Sequence, residues 1–335
     1  MEQSKRLLYI DVLRGFCILV VVMQHVGLNI PVPGLFMLDT AVACFYFISG
    51  YFFEKSASRC EGTVSFLKKK SLALLVPFIL WYLLSYAMFY CLKMVAPSIS
   101  LGSVEYHGVE DLFIQRPLFN GPIWFVLSLF YIEVFYWFIR KLKTERLRFL
   151  VVLLLSGGGY LLYKYQIVIY ASLDGVMMAS LFFYAGTVSD KYRLENILQS
   201  KPWWVESILV VILYMIYLML KPFVVFRDNS FPSGYLPSVI GLLSIVLCIF
   251  IMSHLLIKRT GFNARILPWF GVNSLVVLCS HHLIYRPIEF GLGIIGVHSN
   301  RIVLATTLLF TAVVVMICTK YTPILVGKLR TIDNK

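Results

Sequence analysis

About ten times along its 335 residues the sequence runs apolar for roughly twenty positions, the helix length that crosses the hydrocarbon core of a bilayer. In hydrocarbon every backbone N–H and C=O must be satisfied within the segment, so such runs fold as helices unless they alternate as barrel strands do. No such alternation occurs here. Hydrophobic residues make up 59% and charged residues 14%, too apolar for a soluble domain of this size to cover its surface. The spans are expected at roughly 7–28, 35–53, 71–92, 121–139, 149–163, 166–189, 203–220, 236–257, 269–285 and 302–319, with a tight hairpin near Lys164 and Tyr165. The chain reads as an all-α polytopic membrane protein: a single bundle of about ten transmembrane helices, one domain over 1–335 with both termini cytoplasmic. No internal repeat or long Gly, Pro and Ser linker divides it.

The excess of 30 basic over 17 acidic residues calls for a partner only until its placement is considered. With the N-terminus inside, the inner segments hold 21 lysines and arginines and the outer segments 7. That is the positive-inside bias, which sets orientation and makes a nucleic-acid partner unnecessary; membrane lipids are the expected surroundings. Six of the seven cysteines lie in apolar runs, so neither a disulfide framework nor a metal site is expected. The first apolar run has no small-residue cleavage site after it and reads as a retained anchor. The outer stretch Met94 to Asn120, with Glu105, His107, Glu110, Asp111 and Arg116, is long enough for a cap over the outer mouth.

The first span, LLYIDVLRGFCILVVVMQHVGL, contains Asp11, Arg14, Gln24 and His25. Each ionisable group at the bilayer centre costs about 2.5 to 3.5 kcal/mol, so these side chains are expected to face a polar interior. Arg14 and His25 are eleven positions apart, about 20° beyond three full turns, and share one face over roughly 16 Å of rise. Asp11, one turn from Arg14, is placed to neutralise it. In the ninth span His281 and His282 lie at the depth of His25 but diverge by about 100°. With Tyr285 four residues on and Ser274 seven before, His281 has the more polar face, and His282 is expected to pack. Glu133 and Asp174 lie well inside apolar runs, each as a protonated carboxyl, a partner for a basic group, or part of a site. Glu206 and His254 are expected to be solvated near the inner surface, and Lys320 and Tyr321 to be interfacial anchors.

These segments resemble the membrane acyltransferases of the acyltransferase-3 type, which O-acylate sugars of bacterial cell-surface polysaccharides. DVLRGFCILVVVMQH places Arg14 and His25 where the family has its arginine, ten residues, histidine signature. FYFISGYFF at Phe45 to Phe53, GPIWFVLSLF at Gly121 to Phe130, FFYAGTVSDK at Phe182 to Lys191 and GVNSLVVLCSH at Gly271 to His281 follow in the expected order. One departure is KKKSLALLVPF, where the family's spaced basic residues before the proline are replaced by Lys68, Lys69 and Lys70 ahead of Ala73 and Leu74.

The resemblance implies a multi-pass protein of the inner (cytoplasmic) membrane. Its co-substrate would be acyl-CoA, most simply acetyl-CoA, with no permanently bound cofactor, and its acceptor a hydroxyl of a glycan or glycolipid. His25 is the expected general base, because a hydroxyl is a poor nucleophile at neutral pH and an imidazole titrates near pH 6.5. Arg14 would bind a CoA phosphate or steady the thioester oxygen, and Lys69 or Lys70 would supply the missing phosphate contact. His281 would act as a second relay or orient the acceptor. Trp124, Tyr285, Asp11 and Glu133 complete the substrate-binding set. A transporter or flippase using Arg14, His25 and His281 as an ion path is the alternative from another class, and a scaffold without chemistry a third.

Overall fold

The computed structural model describes residues 8–95, 120–169, 173–261 and 265–328. Most of the stretch read as an outer cap lies outside them. The helices in chain order are α1 (Leu8–His25), α2 (Leu38–Ala57), α3 (Thr63–Lys70), α4 (Val76–Val95), α5 (Trp124–Ile139), α6 (Glu145–Lys164) and α7 (Leu173–Lys191). They continue with α8 (Leu194–Ser200), α9 (Trp203–Leu220), α10 (Tyr235–Lys258), α11 (Ile266–Val272), α12 (Ser274–Ile294) and α13 (Asn300–Tyr321). Each expected span coincides with one of these helices or a pair of them. Among the described residues, 7 helices are long and apolar enough to cross a membrane, or 8 if the pair α11 and α12, bent by 90°, is one span. Inner and outer are used below in the sense of the charge bias.

The long helices outside that count are α2 and α7, and the reason is their position. They pack against each other in the centre of the bundle, so residues such as Tyr46, Tyr51, Ser180 and Thr187 meet protein rather than lipid. Their contact is backbone on backbone: a Cβ on Gly50 would lie 1.9 Å from the Phe183 oxygen, and one on Gly186 would lie 2.0 Å from the Phe47 oxygen. A second such crossing joins α1 to α11, where a Cβ on Gly15 would lie 1.8 Å from the Leu267 oxygen and one on Gly271 2.0 Å from the Asp11 oxygen. Close approach through small residues is how helices gain contact where lipid offers no hydrophobic contrast. Between α3 and α4, Ser71–Leu75 forms a π-helical turn. Pro77 explains it, since the ring removes one N–H and presses on the carbonyl four residues back, that of Ala73, and a widened turn accommodates both.

The inner end is tied by ion pairs. Lys70 at the end of α3 lies 2.6 Å from Glu133 of α5, with both side chains about nine-tenths buried, and Lys69 donates to the Ser56 oxygen at 2.8 Å. Lys55 pairs with Asp190 at 3.0 Å and Arg140 with Glu54 at 3.2 Å. Glu206 and His254 depart from the expectation of solvated inner-surface residues: both side chains are fully buried. Sequence depth alone does not reveal pairing, and here the Glu206 carboxylate takes His254 Nδ1 at 2.8 Å and Arg259 at 2.7 Å. Arg259 also donates to the carbonyl oxygens of Leu198 and Lys201, closing the C-terminal end of α8. Replacing Glu206 by Gln keeps the shape but removes the charge that holds two partners. The expected loss is about 2 kcal/mol of stability, read as a lower unfolding temperature in detergent.

Candidate functional site

The site lies where α1, α2, α5 and α12 end on the outer side. His25 closes α1, and its Nδ1 sits 2.8 Å from the Val21 carbonyl oxygen one turn back. His281 on α12 repeats the arrangement, with Nδ1 2.8 Å from the Val277 oxygen. A carbonyl oxygen only accepts, so both rings carry their proton on Nδ1. The Nε2 of His281 is then a lone pair, and it lies 3.2 Å from His25 Nδ1. The Nδ1–H of His25 is therefore shared between a carbonyl and a neighbouring imidazole, and Nε2 is the nitrogen left to do chemistry.

His25 lines a cavity of about 550 Å³ together with Gln24, Asp39, Trp124, Arg227, His282, Tyr285 and Arg286. Gln24 is fixed by donating to the Phe36 oxygen at 2.6 Å. His282, expected to pack away from the site, instead lines the cavity, with its ring centroid 4.8 Å from His25 and 4.9 Å from Tyr285. His281 is the fully buried member behind His25. The 100° between neighbouring positions of α12 thus puts one imidazole beneath His25 and the other beside it. Asn120 anchors this corner by donating to the Cys279 oxygen at 2.6 Å.

The three histidines offer ring nitrogens within 4.8 Å of one another, a ligand set of the type that holds zinc. The nitrogen of His25 that faces His281 is the protonated Nδ1 bonded to Val21, so the arrangement as built is a hydrogen-bonded chain.

Of the residues expected from sequence, His25, Trp124 and Tyr285 line the cavity, and His281 touches it through His25. Arg14 lies further inward, its guanidinium 5.6 Å from the Phe52 ring centroid, and Asp11 is buried beside the α11 crossing. Neither is among the residues lining the outer cavity. At the inner end Glu133 is paired with Lys70 while Lys69 donates to the Ser56 oxygen, so the structure does not bring Glu133 to His25. The alternative of a partner for a basic group is the one Glu133 adopts.

Asp39, Arg227 and Arg286 were given no role from sequence. Asp39 is an acid near the outer end of an apolar run, a signal of the same kind as Asp11. The arginines belong to loop and helix-end segments whose meeting is a tertiary fact.

Among curated proteins none matches this chain. The family model of the acyltransferase-3 acyltransferase domain matches residues 7–321, from the start of α1 to the end of α13. Arg14, His25 and His281 all lie within that match, and the chain belongs to the acyltransferase-3 family, a family of acyltransferases.

Proposed function

We propose that this membrane protein moves an acyl group, most simply acetyl, from acyl-CoA supplied at the inner face to a hydroxyl of an exported glycan or glycolipid at the outer face. The observation that carries the reading is His25, whose Nδ1–H is committed to Val21 and His281 and whose Nε2 remains for the cavity. In the reaction the acceptor hydroxyl gives its proton to that Nε2 while its oxygen attacks the thioester carbonyl carbon. The C–O bond forms as the C–S bond breaks, and the proton passes to the departing sulfur. The imidazolium formed on the way keeps its Nδ1–H hydrogen bonds, so it needs no reorganisation of its neighbours.

Arg14, on the same face of α1 and roughly 16 Å inward of His25, is assigned to the donor's charged end rather than to the acceptor. Its guanidinium carbon lies over the Phe52 ring, within reach of a cation–π attraction. Lys69 and Lys70 are engaged with the Ser56 oxygen and with Glu133. Trp124 offers a face on which a sugar ring can stack. A cell's inner membrane is the setting in which both substrates are met.

The test uses membrane vesicles carrying the full chain, radiolabelled acetyl-CoA and a glycan acceptor. Label is expected to appear on the glycan, and Arg14→Ala is expected to raise the KM for acetyl-CoA about tenfold, the effect of one charged hydrogen bond. Solute uptake without label transfer would support the transporter reading in its place.

A further inference from the structure

The rim of the His25 cavity carries two guanidinium groups that proton abstraction does not need. Arg227 stands on the loop between α9 and α10, and Arg286 on α12, and both line the cavity. Outer segments are poor in basic residues under the positive-inside bias, so two arginines at one outer mouth call for a local cause. The loop that holds Arg227 is a built platform. Phe226 is buried with its carbonyl against Gly175, where a Cβ would lie 2.0 Å from the Phe226 oxygen, and Asn229 donates to the Gly159 oxygen at 2.8 Å.

The charges near these arginines leave them with capacity. Asp228 takes the Nε–H of Arg227 at 2.9 Å and one Nη2–H at 3.2 Å, which leaves three of the five guanidinium N–H groups. Glu289 is 3.8 Å from Arg286, and both side chains are more than half exposed, a geometry that gives little net attraction. Asp39, the acid lining the cavity, is buried, and its oxygens accept the backbone N–H groups of Thr40 at 2.7 Å and Val224 at 3.4 Å. Two backbone N–H groups thus face that carboxyl group.

We infer that the acceptor entering this cavity is an anionic sugar, whose carboxylate or phosphate is held by Arg227 and Arg286 while a ring hydroxyl faces His25. A planar guanidinium fork matches either anion. The reaction at His25 rests on the proposed acyl transfer, whereas recognition of the anion is a binding property of its own.

The experiment places the full chain in phosphatidylcholine nanodiscs and measures equilibrium binding of radiolabelled methyl glucuronoside and methyl glucoside, with acetyl transfer to each probe read alongside. The acid is expected to bind at least tenfold more tightly than the neutral sugar, and Arg227→Gln and Arg286→Gln to cost about tenfold each. Equal binding of the two probes, or a preference that survives in the double variant, overturns the inference. Phosphatidylglycerol discs that stabilise wild type but not the double variant, with no preference for the acid, would reassign the arginines to lipid headgroups and overturn it too. A preference for the acid without acetyl transfer supports the anion site and counts against the proposed reaction.

Discussion

Replacing His25 by Ala is expected to slow acyl transfer by roughly 10²- to 10⁴-fold, the range a positioned general base contributes, while leaving the affinity for acetyl-CoA within a few-fold of wild type. The reason is the division of labour within the ring: Nδ1 is fixed by Val21 and His281, and Nε2 takes the proton. A base works only when unprotonated, so the wild-type rate should fall as the pH is lowered and His25 gains a proton, and the residual rate of His25→Ala should lack that acid limb. His281→Ala removes the second acceptor for Nδ1–H together with the buried ring beneath His25. The expected effect is about tenfold on the rate, with an acid limb that persists but moves along the pH axis, because a structural change elsewhere in α12 would scale the rate without moving it. Label transfer from acetyl-CoA measured across pH for the three proteins decides the matter. Full activity in His25→Ala would remove that residue from the base role.

Much of this was legible in the sequence, and the reason is physical. Lipid makes a polar side chain in an apolar run conspicuous, so His25 and His281 declared themselves by cost and by shared depth before any contact was known. Helix period also placed them on definite faces, and the rings meet at 3.2 Å. What period could not give was the partner's position. His282 was expected to pack because it diverges from His281, yet the His25 ring is reached from both positions. Glu206 and His254 were misplaced because depth along a helix says nothing of a carboxylate on the neighbouring one. Arg227 and Asp39 are brought together by a loop whose Val224 N–H reaches α2, a meeting that no local pattern encodes.

The second large effect concerns stability. Gly50→Ala and Gly186→Ala each place a methyl about 2 Å from a backbone oxygen of the facing helix, and a backbone cannot rotate away as a side chain can. Each change is expected to cost on the order of 3 kcal/mol or more, at or beyond the usual range for overpacking, because the two interior helices must separate along their length. Gly157 on α6 is the control: a Cβ there meets nothing within 4 Å, and Ala is the better helix former. Thermal unfolding in detergent should show a clear drop for the first two variants and none for Gly157→Ala. An unchanged transition in Gly50→Ala would mean that the central pair is more loosely joined than its backbone distances state.

That same central pair bears on how material can pass from one face to the other. Alternating access requires two halves of a bundle to rock about a hinge, and the helices flanking such a hinge must slide or tilt past one another. Here α2 and α7 are keyed together at Gly50 and Gly186, each backbone seated in a notch of the other, while α1 is keyed to α11 at Gly15 and Gly271. Neither pair can slide or tilt along its own crossing without separating those backbones. Under the proposed reaction the donor's own extended thioester arm would carry the acyl group past these fixed crossings, with the protein serving as the anvil rather than the gate.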